Sequence, residues 1–289
     1  MKKNILQGFL FCITFFSAYT LSWPTDTVNF LTLFGQAEEA YGEFSNGITF
    51  KDAGTVRIAN YGKHLITMEE KDDNHTFPCT LGNTAIFIHD DEMQTVYGNL
   101  TDRLIFTEGA VIDTGSVIGQ TGSSAWSEPN SLIFQVLDTT NNASINPLPL
   151  LIPSAKDETP PQIQNTVLIS EGRQPVNLSE AKTVKKGSYD LYASIIDKTE
   201  KNGAPLAPYR VSIFINGINT EIIFFEVLLS GKDGIYLQNT KLTAKALYQK
   251  KGFMYLGKIN LTTGKVDLSI NARDIIGNEK TETFSFQVE

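Results

Sequence analysis

Leu81-Gly82-Asn83-Thr84-Ala85-Ile86-Phe87-Ile88-His89-Asp90-Asp91-Glu92-Met93-Gln94-Thr95-Val96-Tyr97-Gly98-Asn99-Leu100 decides how this chain is read. Two short runs, 84–88 and 94–97, are rich in β-branched and aromatic side chains, and an acidic turn at 90–92 parts them. Such side chains fit a pleated, half-buried surface, so both runs predict strands. The same texture continues in both directions. Residues 132–136 form a comparable run, and 189–196, 209–215 and 266–272 alternate apolar with polar residues. That alternation is expected when one face of a sheet packs on a core. Asn216-Gly217 closes one of these runs with a strong turn dipeptide. Only residues 238–250 suggest a short helix. The chain reads as mainly β.

The chain has 289 residues, 41% of them hydrophobic and 19% charged, a globular composition long enough for about two domains. A formal charge of −8 argues against nucleic acid, whose phosphates are met by Lys and Arg. The charge is unevenly divided. Residues 23–159 hold 6 basic and 19 acidic side chains, whereas 160–289 hold 16 and 13. With the prolines at 160 and 161, this split places a domain border at 156/157. At the start, two lysines precede an apolar run to Leu21 that ends among small residues, the pattern of a secretory signal peptide over residues 1–22. A retained N-terminal anchor is the alternative. No other stretch could span a membrane, so the protein is expected in the periplasm or cell envelope, with the surface also open. Removal of residues 1–22 takes Cys12 away and leaves Cys79 alone, which excludes an internal disulfide.

Several pieces then carry a family resemblance. Residues 54–62, Gly-Thr-Val-Arg-Ile-Ala-Asn-Tyr-Gly, resemble the "G-x-V-x-A-x-x-x-G" hairpin of the M23 (lysostaphin/LytM-type) zinc endopeptidases. Residues 81–89 are similar to their "Y-G-N-x-V-x-I-x-H" strand, and Tyr97-Gly98-Asn99-Leu100 stands where they read "Y-A-H-L". Residues 108–122 resemble "G-x-x-V-x-x-G-x-x-I-G-x-x-G". Ser131-Leu132-Ile133-Phe134-Gln135-Val136 occupies the "H-L-H-F-E-V" strand, and Asn146-Pro147 its "N-P" tail. The resemblance runs in unbroken order over residues 41–152. It implies an M23/LytM-type β-sheet domain over 23–156. Residues 157–289 are similar to immunoglobulin-like β-sandwich modules, on the "A-x-D-x-x-G-N" pattern at Ala272 to Asn278. There Asp274 is expected to bond the turn amides, with Gly277 and Asn278 left-handed.

The departures from the family carry the functional reading. Its enzymes hold zinc with "H-x-x-x-D" and the second His of "H-x-H"; the aligned residues here are Ser45, Thr49 and Ile133. Two further histidines, credited with polarising water or stabilising the transition state, align with Asn99 and Ser131. Zinc needs imidazole, thiolate or carboxylate ligands, and without it nothing depresses the pKa of water or polarises a peptide carbonyl. The resemblance therefore implies a pseudoenzyme with no catalytic residue, metal or cofactor. Its former groove would be lined by these five residues and contacted by Trp126. It would bind or regulate peptidoglycan or a cell-wall hydrolase. An active zinc endopeptidase with displaced ligands, or a structural or adhesive surface protein, are the alternatives. The three histidines, His64, His75 and His89, form no ligand pattern beyond a weak His75–Cys79 pair. The acids at 72–73 and 90–92 read as solvated turns.

Overall fold

Strands Asn83–Ile88 and Met93–Leu100 pair antiparallel, with Ile86 opposite Val96. The computed structural model describes residues 20–38, 42–70, 79–90, 92–101, 106–107, 109–151, 157–198 and 205–289. Gly62–Met68 flanks this hairpin on one side and Leu132–Asp138 on the other. The far edge of Leu132–Asp138 takes Ile48–Phe50 at one end and Ala143–Ile145 at the other. Alternate residues point to one face, where Phe50, Phe87, Tyr97 and Phe134 are buried with Ile58 and Leu132. The Tyr97 ring lies 5.8 Å from Phe87 and 5.3 Å from Phe134, and its hydroxyl accepts the Ala59 N–H at 2.7 Å. The tyrosine's polar end is thereby satisfied inside an aromatic core.

Residues 157–289 build two further sheets around a second core. One orders Val176–Asn177, Gln162–Ile169, Gly187–Ile196 and Met254–Leu261. The other orders Thr183–Val184, Glu279–Val288, Gly264–Arg273, Arg210–Ile215 and Ile218–Phe224. Leu191 and Ala193 of the first meet Val211, Ile213, Leu268 and Ile270 of the second. The turn dipeptide behaves as predicted: Asn216 (φ 50°) and Gly217 (φ 78°) are both left-handed, as a tight hairpin between right-twisted strands requires. Asp274 Oδ1 accepts the Gly277 and Asn278 amides at 2.6 and 2.9 Å; of those two residues only Gly277 (φ 109°) has positive φ, contrary to expectation for Asn278.

The halves exchange elements. Strands Val227–Gly231 and Gly234–Leu237 extend the first half's sheet by pairing with Ala143–Ile145. Phe34 and Phe44 are buried in the second core, and Leu206 in the first. The helix expected over 238–250 shrinks to Ala244–Leu247. Lys241 is left-handed (φ 59°), which breaks the helical path, and Thr243 caps the short turn by accepting the Ala246 N–H. Of the expected signal peptide, residues 1–19 lie outside the described ones. Leu21 is fully buried in the first core, and the Ser22 amide bonds to Ala59 O at 2.8 Å. Residues 21 and 22 thus pack against the first half. No helix among the described residues is long and apolar enough to cross a membrane.

Candidate functional site

Sheet register gathers two of the five expected positions, and a third, Ser45, joins them in one cleft. Thr49 lies opposite Ile133 on one side and Thr32 on the other, and Ile133 lies opposite Gly98. Directly paired residues share a face, so Thr32, Thr49, Ile133 and Gly98 form one row across the sheet. Thr32, Thr49 and Ile133 help line a cleft of about 460 Å³, together with Ser45, Trp126 and Glu128; Ile235 enters from the second half. Segment 45–49 can lie this close because residue 47 is glycine: a Cβ there would stand 2.3 Å from Phe134 O. Ser45 Oγ donates to Gly47 O at 3.1 Å, and Gln135 Nε2 donates to Asn46 Oδ1 at 2.7 Å. Trp126 is 57% exposed and lies on the cleft.

Asn99 and Ser131 do not line the cleft. Both are fully buried, which corrects the expectation that all five positions face the groove. Asn99 is left-handed (φ 65°), a conformation that asparagine tolerates. Its Nδ2 donates to Ser131 O (2.8 Å) and Oγ (3.0 Å) and to Glu128 O (3.2 Å), while its Oδ1 accepts the Ala125 N–H at 2.9 Å. Ser131 Oγ bonds Glu128 O at 2.6 Å and Ser127 Oγ at 2.9 Å. The pair thus anchors segment 124–131, which carries Trp126. Gly82 (φ 64°) lets the same segment approach, since a Cβ would fall 2.4 Å from the Ser124 carbonyl carbon.

Residues 43–147 match peptidase family M23. The M23 match is confined to residues 43–147 and so describes the first half alone. Residues 160–289 match a second family that carries no description. The chain is 39% identical over 124 residues to an uncharacterized protein of Treponema pallidum (strain Nichols), covering 39% of this chain and 84% of that protein. Among solved structures, a zinc containing peptidase from Vibrio cholerae shares 22% identity over 40% of this chain, with a TM-score of 0.33. The match spans 35% of the Vibrio chain. The SpoIIQ–SpoIIIAH pore forming complex shares 20% identity, covering 47% of this chain and 92% of that chain, with a TM-score of 0.37.

M23 peptidases use zinc, and the donors in this cleft do not fit it. At the positions aligned with the ligands, two hydroxyls and a hydrocarbon replace nitrogen and carboxylate donors, and Ser45 already donates its proton to Gly47 O. Among the described residues, the one convergent group of potential metal ligands is Asp157, Asp197 and Asp274, outside the M23 domain. His89 is a structural strand-end residue: Nδ1 bonds Tyr61 O at 2.8 Å and Nε2 bonds Thr95 Oγ1 at 2.9 Å. His64 is buried against Phe87 and Phe106, and burial lowers its pKa. His75, Asp72, Asp73 and Asp91 lie outside the described residues, and Cys79 is a half-buried free thiol. A larger cleft of about 730 Å³ lies between segment 205–208 and helix Ala244–Leu247; among the described residues its lining holds Lys245, Lys250 and Lys251 but no carboxylate, histidine or cysteine.

Proposed function

We propose that the chain is an exported, non-catalytic M23-fold protein of the cell envelope, whose cleft holds an extended peptide segment of peptidoglycan or of a cell-wall hydrolase. The observation that carries this reading is the composition of the cleft: Ser45, Thr49 and Ile133 stand at the aligned ligand positions, yet the groove persists beside an exposed Trp126. Exposed aromatic side chains beside a concave, partly apolar surface are typical anchors for a partner. A strongly acidic first half is poorly matched to anionic wall polymers, which favours a protein partner. We read residues 157–289 as an immunoglobulin-like sandwich, in keeping with the four- and five-stranded sheets and the Asp274–Asn278 turn.

The test is metal analysis and digestion of purified sacculi, followed by co-sedimentation at physiological salt and in-cell crosslinking. The expected outcome is substoichiometric zinc, no release of wall peptides, and capture of sacculi or a hydrolase that weakens at least tenfold in Trp126→Ala. Stoichiometric zinc with chelator-sensitive peptide release would overturn the proposal, as would partner binding untouched by Trp126→Ala.

A further inference from the structure

Three aspartates distant in sequence meet beside the junction of the halves. Asp157 opens the second half, Asp197 follows strand Gly187–Ile196, and Asp274 follows strand Gly264–Arg273. One carboxylate oxygen from each lies within 4.8 Å of the other two, and the residues are only 7%, 4% and 1% exposed. Desolvating a charge costs several kcal/mol per ion, roughly, so buried carboxylates are normally paired. Three together add mutual repulsion.

Hydrogen bonds satisfy only part of this cluster. Asp274 is fully engaged: Oδ1 takes two turn amides, and Oδ2 accepts Asn278 Nδ2 at 2.7 Å. Asp157 Oδ1 accepts the Thr159 N–H at 2.8 Å, and Asp197 Oδ1 accepts the Lys198 N–H at 2.9 Å. The second oxygens of Asp157 and Asp197 accept no hydrogen bond from a described residue, and no Lys, Arg or His among the described residues pairs with any of the three. Three carboxylates on residues more than nine-tenths buried converge with no counter-ion among the described residues, which separates this cluster from an ordinary exposed acidic turn. Burial, then the neighbouring Asp274 and Asp157, push Asp197 up to about 7.

We propose that Asp157, Asp197 and Asp274 form a calcium site that ties the entry of the second sandwich to two of its strand ends. Every donor is a hard carboxylate oxygen, with no imidazole or thiolate to favour zinc. Ca²⁺ takes such oxygens at about 2.3–2.6 Å in a flexible geometry, whereas Mg²⁺ demands a near-ideal octahedron at about 2.0–2.1 Å, which side chains from three separate chain segments are less suited to supply. The site would also join the two cores. Asp197 exchanges both backbone hydrogen bonds with Leu206 at 2.9 Å, and Leu206 is buried in the first core. Asn278 Nδ2 additionally holds Asp157 O at 2.9 Å.

The test is titration of the chelator-stripped full chain with CaCl₂, by calorimetry and by melting. The expected result is one Ca²⁺ per chain, a rise in Tm, and at least tenfold weaker Mg²⁺ binding. Asp197→Asn should lose at least tenfold in Ca²⁺ affinity and, having shed a repelling charge, melt above the wild type in chelator. Asp157→Asn repeats the affinity test if the first variant does not fold. No heat and no Tm change at 5 mM Ca²⁺ (about the weakest affinity of extracellular calcium modules) would overturn the site. Full affinity in either folded variant, or tighter Mg²⁺ than Ca²⁺ binding, would do the same.

Discussion

Asn99 holds a left-handed backbone position and directs both ends of its amide into the segment that carries Trp126. Asn99→Ala would leave the Ala125 amide and the Ser131 carbonyl without these partners in a buried place. We expect a loss of about 1–3 kcal/mol in urea unfolding, with a shift in tryptophan emission as segment 124–131 loosens. Trp126→Ala acts in the opposite way: stability should hold within about 0.5 kcal/mol while partner binding falls. His64 supplies a pH test. Its pKa is lowered in the fold by burial, so between that value and about 6.5 the unfolded chain binds more protons than the folded one. This contribution to stability is therefore complete above about 6.5 and is lost as pH falls. His64→Gln should flatten the wild-type stability loss between pH 7.5 and 5.5; equal slopes would show that His64 is not its source. Ser45, Thr49 and Ile133 could be located from sequence because motif spacing fixes their strand register. The inward turn of Asn99 and Ser131 could not, because it depends on a positive φ stabilised by contacts across the fold.

At the scale of elements, alternation and turn dipeptides were enough to read strands such as Gly187–Ile196 and Gly264–Arg273, since each buries every second residue on a core. The helix over 238–250 is reduced to Ala244–Leu247 because Lys241 is left-handed, a conformation set by tertiary context that no local pattern announces. Leu21 belongs to an apolar run in sequence, but it pairs with Leu151 as a bridge and donates its N–H to Leu150 O. A chain beginning at Trp23 forfeits a fully buried leucine, worth about 2 kcal/mol by area. Compared with a chain beginning at Thr20, it should melt about 4–8 °C lower in calorimetry. Identical melting temperatures would show that Leu21 contributes no net stability.

Across the whole molecule, the charge split between residues 23–159 and 160–289 marks two compositional units, but packing crosses between them. Phe34 and Phe44 fill the second core, Leu206 fills the first, and the hairpin 227–237 lengthens the first sheet. These exchanges pair residues more than 80 positions apart, as in Ala143 opposite Leu229, so no local pattern announces them. Tyr248, whose phenol is buried and shifted far upward, donates its hydroxyl to Gly35 O at 3.0 Å across the same boundary. Small, polar interfaces let domains unfold separately, whereas shared apolar cores couple them. Calorimetry of the intact chain should therefore show one cooperative transition. Leu228→Ala, at a 1% exposed position on the crossing hairpin, should cost about 2–5 kcal/mol and lower that single transition as a unit. Two resolved transitions in the wild type, or a Leu228→Ala variant in which only one of two transitions moves, would show that the halves fold independently. The cleft at Ser45, Thr49 and Ile133 would then be built without support from the hairpin that places Ile235 on its wall.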